Sequence, residues 1–181
     1  MIKKLVGTLA VVALIAAPTR EVSAQIAKGY TDVGAVVGLG GIGSAGLSFG
    51  GRFERIFKEL PDLGNGLLGI GVSADYYSYG DNFGAFKSSF TYIPIGATAN
   101  YHFKLENKKF DAFVGAGLGY YVISCDYPGS TTVFDPCSGL SSIYFIGRVG
   151  GRYFYKPNMA VYADAGAGAA TLNIGLTFKL K

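Results

Sequence analysis

Tryptophan is absent from this chain of 181 residues, histidine occurs once, cysteine twice, and charged residues make up only 15% of it. Each scarcity removes a class of protein. One histidine and two cysteines cannot complete a metal site without further ligands, so no metal and no cofactor is expected. The formal charge of +4 gives no electrostatic case for nucleic acid. Long apolar runs are missing too. Beyond residues 5–17, no segment offers the roughly 20 uncharged apolar residues of a membrane-spanning helix, which argues against a helical membrane protein.

The run at residues 5–17 has a different reading. Lys3 and Lys4 precede it, and Val22-Ser23-Ala24 follows as a small-residue cleavage site. These are the three parts of a secretory signal. Residues 1–24 are expected to be a cleaved signal peptide and residues 25–181 a single domain. No cysteine follows the cleavage site, which argues against an N-terminal lipid anchor. The mature domain keeps 13 basic and 11 acidic side chains, a balance of +2.

What the chain has is glycine, 28 residues, and Phe plus Tyr, 13 of each, set into alternating patterns. In residues 93–103, Ile93, Ile95, Ala97, Ala99, Tyr101 and Phe103 share one face, and Pro94, Gly96, Thr98, Asn100 and His102 share the other. After the charged turn LENKK, the second arm places Phe110, Ala112, Val114, Ala116, Leu118, Tyr120 and Val122 opposite Asp111, Gly115, Gly117 and Tyr121. Alternation with period 2 over two arms of about eleven residues matches a tilted membrane-spanning β-hairpin.

The same alternation recurs along the chain. It predicts strands over residues 30–40, 45–55 and 68–77, the two arms of the hairpin, and strands over 142–155, 159–165 and 171–180. KELPDLGNG is read as the second connection, YGDNFGAFKSS as a longer polar third loop, and SCDYPGSTTVFDPCSG as the longest, fifth loop. Eight strands with the N-terminus in the periplasm put loops three and five outside and LENKK and KPN inside. The second connection is long for a periplasmic turn, and the first and seventh are short for outer loops. Pro94 fits worst, because it cannot donate to a ladder; it is expected at a bulge or at the outer end of its strand.

Two barrels satisfy this pattern, a soluble one with its apolar face inward and a membrane one with that face outward. The polar face is mostly glycine and small residues with a few large charges: Arg52, Glu54, Asp75, Arg148, Arg152 and Asp164. A water-facing surface uses many more Lys and Glu, and small residues with isolated charges suit the narrow bore of eight strands. Those charges read either as a polar pathway or as ion pairs that neutralise one another. Pairs are favoured, because a buried charge is tolerated mainly when paired, and a wide channel is not expected. Tyr101, Phe103, Phe110, Tyr153, Tyr155 and Phe178 lie near strand ends on the apolar face. They read as an interfacial girdle, against the plainer alternative of ordinary β-propensity.

Residues 27–181 resemble the small eight-stranded outer-membrane β-barrel proteins of Gram-negative bacteria, the type that includes the OmpA transmembrane domain and OmpX-like and OmpW-like proteins. The resemblance rests on YIPIGATANYHF, FDAFVGAGLGYY and the closing LNIGLTFKL. Within that last strand, Asn173, Gly175, Phe178 and Leu180 look like the signal read by the outer-membrane assembly machinery. Such chains commonly finish on an aromatic, whereas this one finishes Leu180-Lys181. The resemblance implies an all-β, eight-stranded antiparallel up-and-down transmembrane β-barrel, located in the outer membrane. Its partners would be outer-membrane lipid and the assembly machinery, and it would be a monomer. It does not fix a duty, since this scaffold hosts adhesion, solute passage, envelope stabilisation and lipid-modifying activity alike.

Three further features bear on chemistry. Gly38, Gly40 and Gly43 match a GxGxxG pattern, but the residues after them alternate with period 2, so no helix N-terminus follows to hold a pyrophosphate. Cys125 and Cys137 flank the fifth loop and are expected to form a disulfide in an oxidising periplasm; closing that loop would stabilise the chain by about 3 kcal/mol in the entropy model. His102 lies on the polar face near a periplasmic turn. With no Ser or Asp assignable beside it, it reads as structural or interfacial and no enzyme is expected. The expectation is therefore a non-enzymatic outer-membrane protein with exposed outer loops. A narrow transporter for small or apolar solutes and a soluble lipocalin-like barrel are the rivals.

Overall fold

The computed structural model describes residues 26–41, 46–83, 86–126 and 142–180. Eight antiparallel strands close into one barrel: β1 (Thr31–Leu39), β2 (Leu47–Leu60), β3 (Gly66–Phe83), β4 (Phe86–Phe103), β5 (Phe110–Asp126), β6 (Ile143–Lys156), β7 (Met159–Ala167) and β8 (Leu172–Lys179). Each strand pairs with its sequence neighbours, and closure comes from β1 meeting β8 with Asp32 opposite Lys179 and Leu39 opposite Leu172. Closure leaves no free edge, so along the paired stretches the ladder satisfies the backbone polar groups without water.

Alternate residues face opposite sides of the wall, and the apolar set faces out. Phe145, Ile143, Phe49 and Val149 are 80%, 70%, 60% and 60% exposed, while Asp32, Glu54, Asp75, Arg152 and Asp164 are buried. This is the reverse of a lipocalin-like barrel, which would carry its apolar side chains inside. The outward aromatics fall into two belts. Phe103, Phe110, Tyr153 and Phe178 ring the end with the short turns, and Phe49, Tyr76, Tyr120 and Phe145 ring the other. From Phe110 to Tyr120 along β5, about 3.3 Å per residue and a tilt of about 40° give an apolar band roughly 25 Å tall, the height of a membrane barrel's lipid-facing band.

Strand lengths differ from the alternation's simple count. β2 runs to Leu60, so its turn shrinks to residues 61–65, where Gly64 and Asn65 take left-handed φ values of 66° and 55°. The second connection is thus a short periplasmic-type turn, and its apparent excess length was strand. β3 and β4, 18 residues each, stay paired out to Phe83–Phe86. The stretch read as a polar third loop is therefore mostly a β-hairpin standing beyond the apolar band, since about 9–11 residues suffice to cross.

Pro94 sits neither at a bulge nor at the strand's outer end. It is fully buried in mid-strand, paired with Tyr121 on β5, and the β3–β4 pairing skips from Ala74–Ile95 to Tyr77–Tyr92 with no change of register. The missing N–H is accommodated by leaving one stretch of ladder open. Real register shifts occur instead at Ile56/Lys58 and Phe154/Lys156, both at the short-turn end.

Candidate functional site

The bore is filled in layers. At the short-turn end Tyr30, Ile56, Phe154 and Ala160 pack together with Ile26 and Leu67 against them, Tyr30 meeting Phe154 edge-on at 6.3 Å. At the opposite end Tyr77, Ala169 and Ala170 pack with Tyr92, Tyr121 and Tyr144, and the rings of Tyr121 and Tyr144 stack at 4.2 Å. Glycines make this filling possible: a Cβ on Gly119 would lie 2.2 Å from Cζ of Tyr144, so only a glycine lets that ring lie against the wall.

Between the plugs lie two ionic clusters. In the one nearer the short turns, Arg152 on β6 is 2% exposed and its guanidinium meets three carboxylates: Asp111 at 2.9 Å, Asp32 at 3.1 Å, and Glu54 in close contact. The rings of Phe113 and Tyr162 flank it, 5.5 and 5.7 Å away, a favourable seat for a desolvated guanidinium. His102 completes the cluster, with Nδ1 2.9 Å from Asp111 and Nε2 3.1 Å from Glu54. Asn100 donates to Glu54 and the Tyr30 hydroxyl donates to Asp32.

The other cluster is balanced. Arg52 meets Asp75 at 3.0 Å and Arg148 meets Asp164 at 2.8 Å. Asn173 joins the pairs by accepting from Arg52 and donating to Asp164, and the Tyr162 hydroxyl also donates to Asp164. A cavity of about 50 Å³ remains between the clusters, lined in part by Ser73, Thr98 and Thr177. That is room for very few water molecules. A second cavity, about 320 Å³, opens between residues 59–67 and 102–111 at the short-turn mouth and reaches His102 and Asp111.

All six charged residues singled out in the sequence, Arg52, Glu54, Asp75, Arg148, Arg152 and Asp164, lie inside the barrel. Sequence reasoning missed Asp32 and Asp111 as members of the same network. Both sit on the polar faces of their strands, and that parity was the signal available. It also left His102 without an acidic neighbour. In the β4–β5 hairpin His102 pairs with Phe113, which makes Asp111 its diagonal neighbour, within reach of a long side chain. Cys125 lies in β5, and the expected pairing with Cys137 falls outside the described residues.

No protein-family model matches the chain, and no curated protein matches it significantly. Solved structures do. OprG of Pseudomonas aeruginosa, an outer membrane protein, superposes with a TM-score of 0.54 at 12% identity, covering 86% of this chain and 98% of OprG. The N-terminal β-barrel domain of OprF from the same organism gives 0.51 at 15% identity, covering 84% of this chain and 98% of that domain. The fold is that of the small eight-stranded outer-membrane barrels. At these identities the likeness extends to the fold and not to a duty, so the function must be argued from the interior and the rims.

Proposed function

We propose that this protein is a non-enzymatic, monomeric integral barrel of the bacterial outer membrane that anchors its outer connections at the cell surface. The observation that carries the reading is the pairing of an apolar outer wall with a plugged, ion-paired bore. Such a wall has lipid as its natural solvent, and such a bore supplies rigidity in place of passage. The outer connections, especially residues 79–89 and 125–139, would then present the contact surface. Both ring nitrogens of His102 face carboxylates, which leaves neither free to take a proton from a nucleophile. Lipid and the outer-membrane assembly machinery are the proposed partners, the latter through the closing strand.

The test is gel mobility of the detergent-folded protein with and without boiling, followed by planar-bilayer conductance. A fast unboiled band that slows on heating, with silent bilayers, supports the reading. Detergent-free solubility without a heat shift sinks it.

A second reading, a narrow route for small apolar solutes, is favoured by the open stretch of ladder at Pro94. A solute would leave sideways between β3 and β4. Uptake of an apolar dye into vesicles holding the barrel, lost on Pro94→Ala, would support it; equal uptake with and without protein would end it.

A further inference from the structure

The charges of this barrel are sorted by height. At the short-turn end six basic side chains are exposed: Lys28, Arg55, Lys58, Lys104, Lys108 and Lys156. Only three acids accompany them, Glu59, Asp62 and Glu106. Lys109 and Lys179, half-buried at the same end, add to the excess, and Lys179 lies over the Tyr30 ring at 5.6 Å. Elsewhere the balance is reversed. The bore holds Arg52, Arg148 and Arg152 against five carboxylates, Asp32, Glu54, Asp75, Asp111 and Asp164. Among the described residues every ion pair lies inside the barrel, and none of them involves a basic side chain of the rim.

The rim also stands at a defined level. Arg55 continues the outward-facing row of β2 between Phe53 and Phe57, which are 39% and 42% exposed. Lys58 follows the register shift after Ile56, and the Lys156 ammonium lies 6.0 Å from the Tyr155 ring centroid. Basic side chains set beside outward aromatics at the edge of the apolar band are the arrangement by which Lys and Arg reach a head-group layer.

We propose that this rim binds the anionic phosphate head groups of phospholipids in the periplasmic leaflet. The inference rests on the reading above, that the chain spans a membrane with its short turns inward. Basic side chains clustered at a membrane surface attract anionic lipid, and the attraction is screened by salt. The rim would hold the barrel at a fixed depth and orientation and gather anionic lipid around it.

The test uses the folded protein in phosphatidylcholine vesicles containing trace spin-labelled phosphatidylglycerol or phosphatidylcholine. The expected result is that phosphatidylglycerol is immobilised with about a 3-fold preference at low salt, falling toward parity at about 1 M salt. The triple variant Arg55→Gln, Lys58→Gln, Lys156→Gln should at least halve that preference while keeping its heat-shifted gel band. Equal immobilisation of the two lipids, or a preference that survives the triple variant, overturns the proposal. So does a rim that ignores both lipids but retains soluble cell-wall fragments. Failure to enter the vesicles at all would instead strike the membrane reading, which separates the two.

Discussion

Arg152 and Glu54 stand on β6 and β2, diametrically opposite strands of the eight-membered ring, and their charged hydrogen bond crosses the barrel axis. Because Arg152 also engages Asp32 on β1 and Asp111 on β5, one side chain ties four strands together. Replacing it with glutamine leaves three buried carboxylates facing one another. Arg152→Gln is expected to cost about 3–5 kcal/mol, the range for a buried charge robbed of its partner. The urea midpoint of the detergent-folded barrel, followed by the heat-shifted gel band, measures this; an unchanged midpoint would show that the cluster carries little of the stability.

The Arg52–Asp75 pair should behave differently when both members are removed. Arg52→Met or Asp75→Leu alone strands one charge in the bore. The double change Arg52→Met, Asp75→Leu strands none, and buried pairs exchanged for apolar residues are often neutral. A double-mutant cycle should return a coupling of about 0.5–3 kcal/mol. Additive losses would mean that the two side chains are stabilised by other neighbours.

Gly119 and Tyr144 offer a steric test of the outer plug. Gly119→Leu drives a side chain into the space of the Tyr144 ring and is expected to cost about 1–3 kcal/mol. Adding Tyr144→Ala should recover part of that loss. If the double variant is no more stable than Gly119→Leu alone, the ring does not occupy that space.

Val149 distinguishes a lipid-facing wall from a wet one. It faces outward between Val114 and Ala165, well inside the apolar band. Val149→Arg is expected to destabilise the barrel by about 2–4 kcal/mol in bilayers, as a charge near the midplane does. A loss within about 0.5 kcal/mol, normal for a water-facing surface position, would contradict the membrane reading.

Much of this architecture was legible because alternation is a local property. Residues 93–103 and 110–122 declare their two faces without reference to any other part of the chain, and both faces lie in the barrel as the pattern places them. The strand ends were less legible. Residues 56–60 break parity at a register shift, and the arms around Phe83 and Phe86 are too polar to look like strand, because beyond the apolar band a paired arm has no reason to be apolar. Pro94 was misjudged for a related reason: a missing donor is visible in one residue, but a barrel's capacity to leave a stretch of ladder open is not.

The sequence by itself determined the element type, the strand number and, within the apolar band, which side chains share a face, since period-2 alternation is written residue by residue; the scarcity of charge on the polar face then turned that face inward. Only the tertiary structure decided which inward charges meet. Closure of β1 on β8 brings β6 and β2 face to face across a narrow bore, and that distance depends on the register of all eight strands at once. Thus Arg152 found Glu54, and His102 settled between Asp111 and Glu54, through geometry that no single stretch of the chain contains.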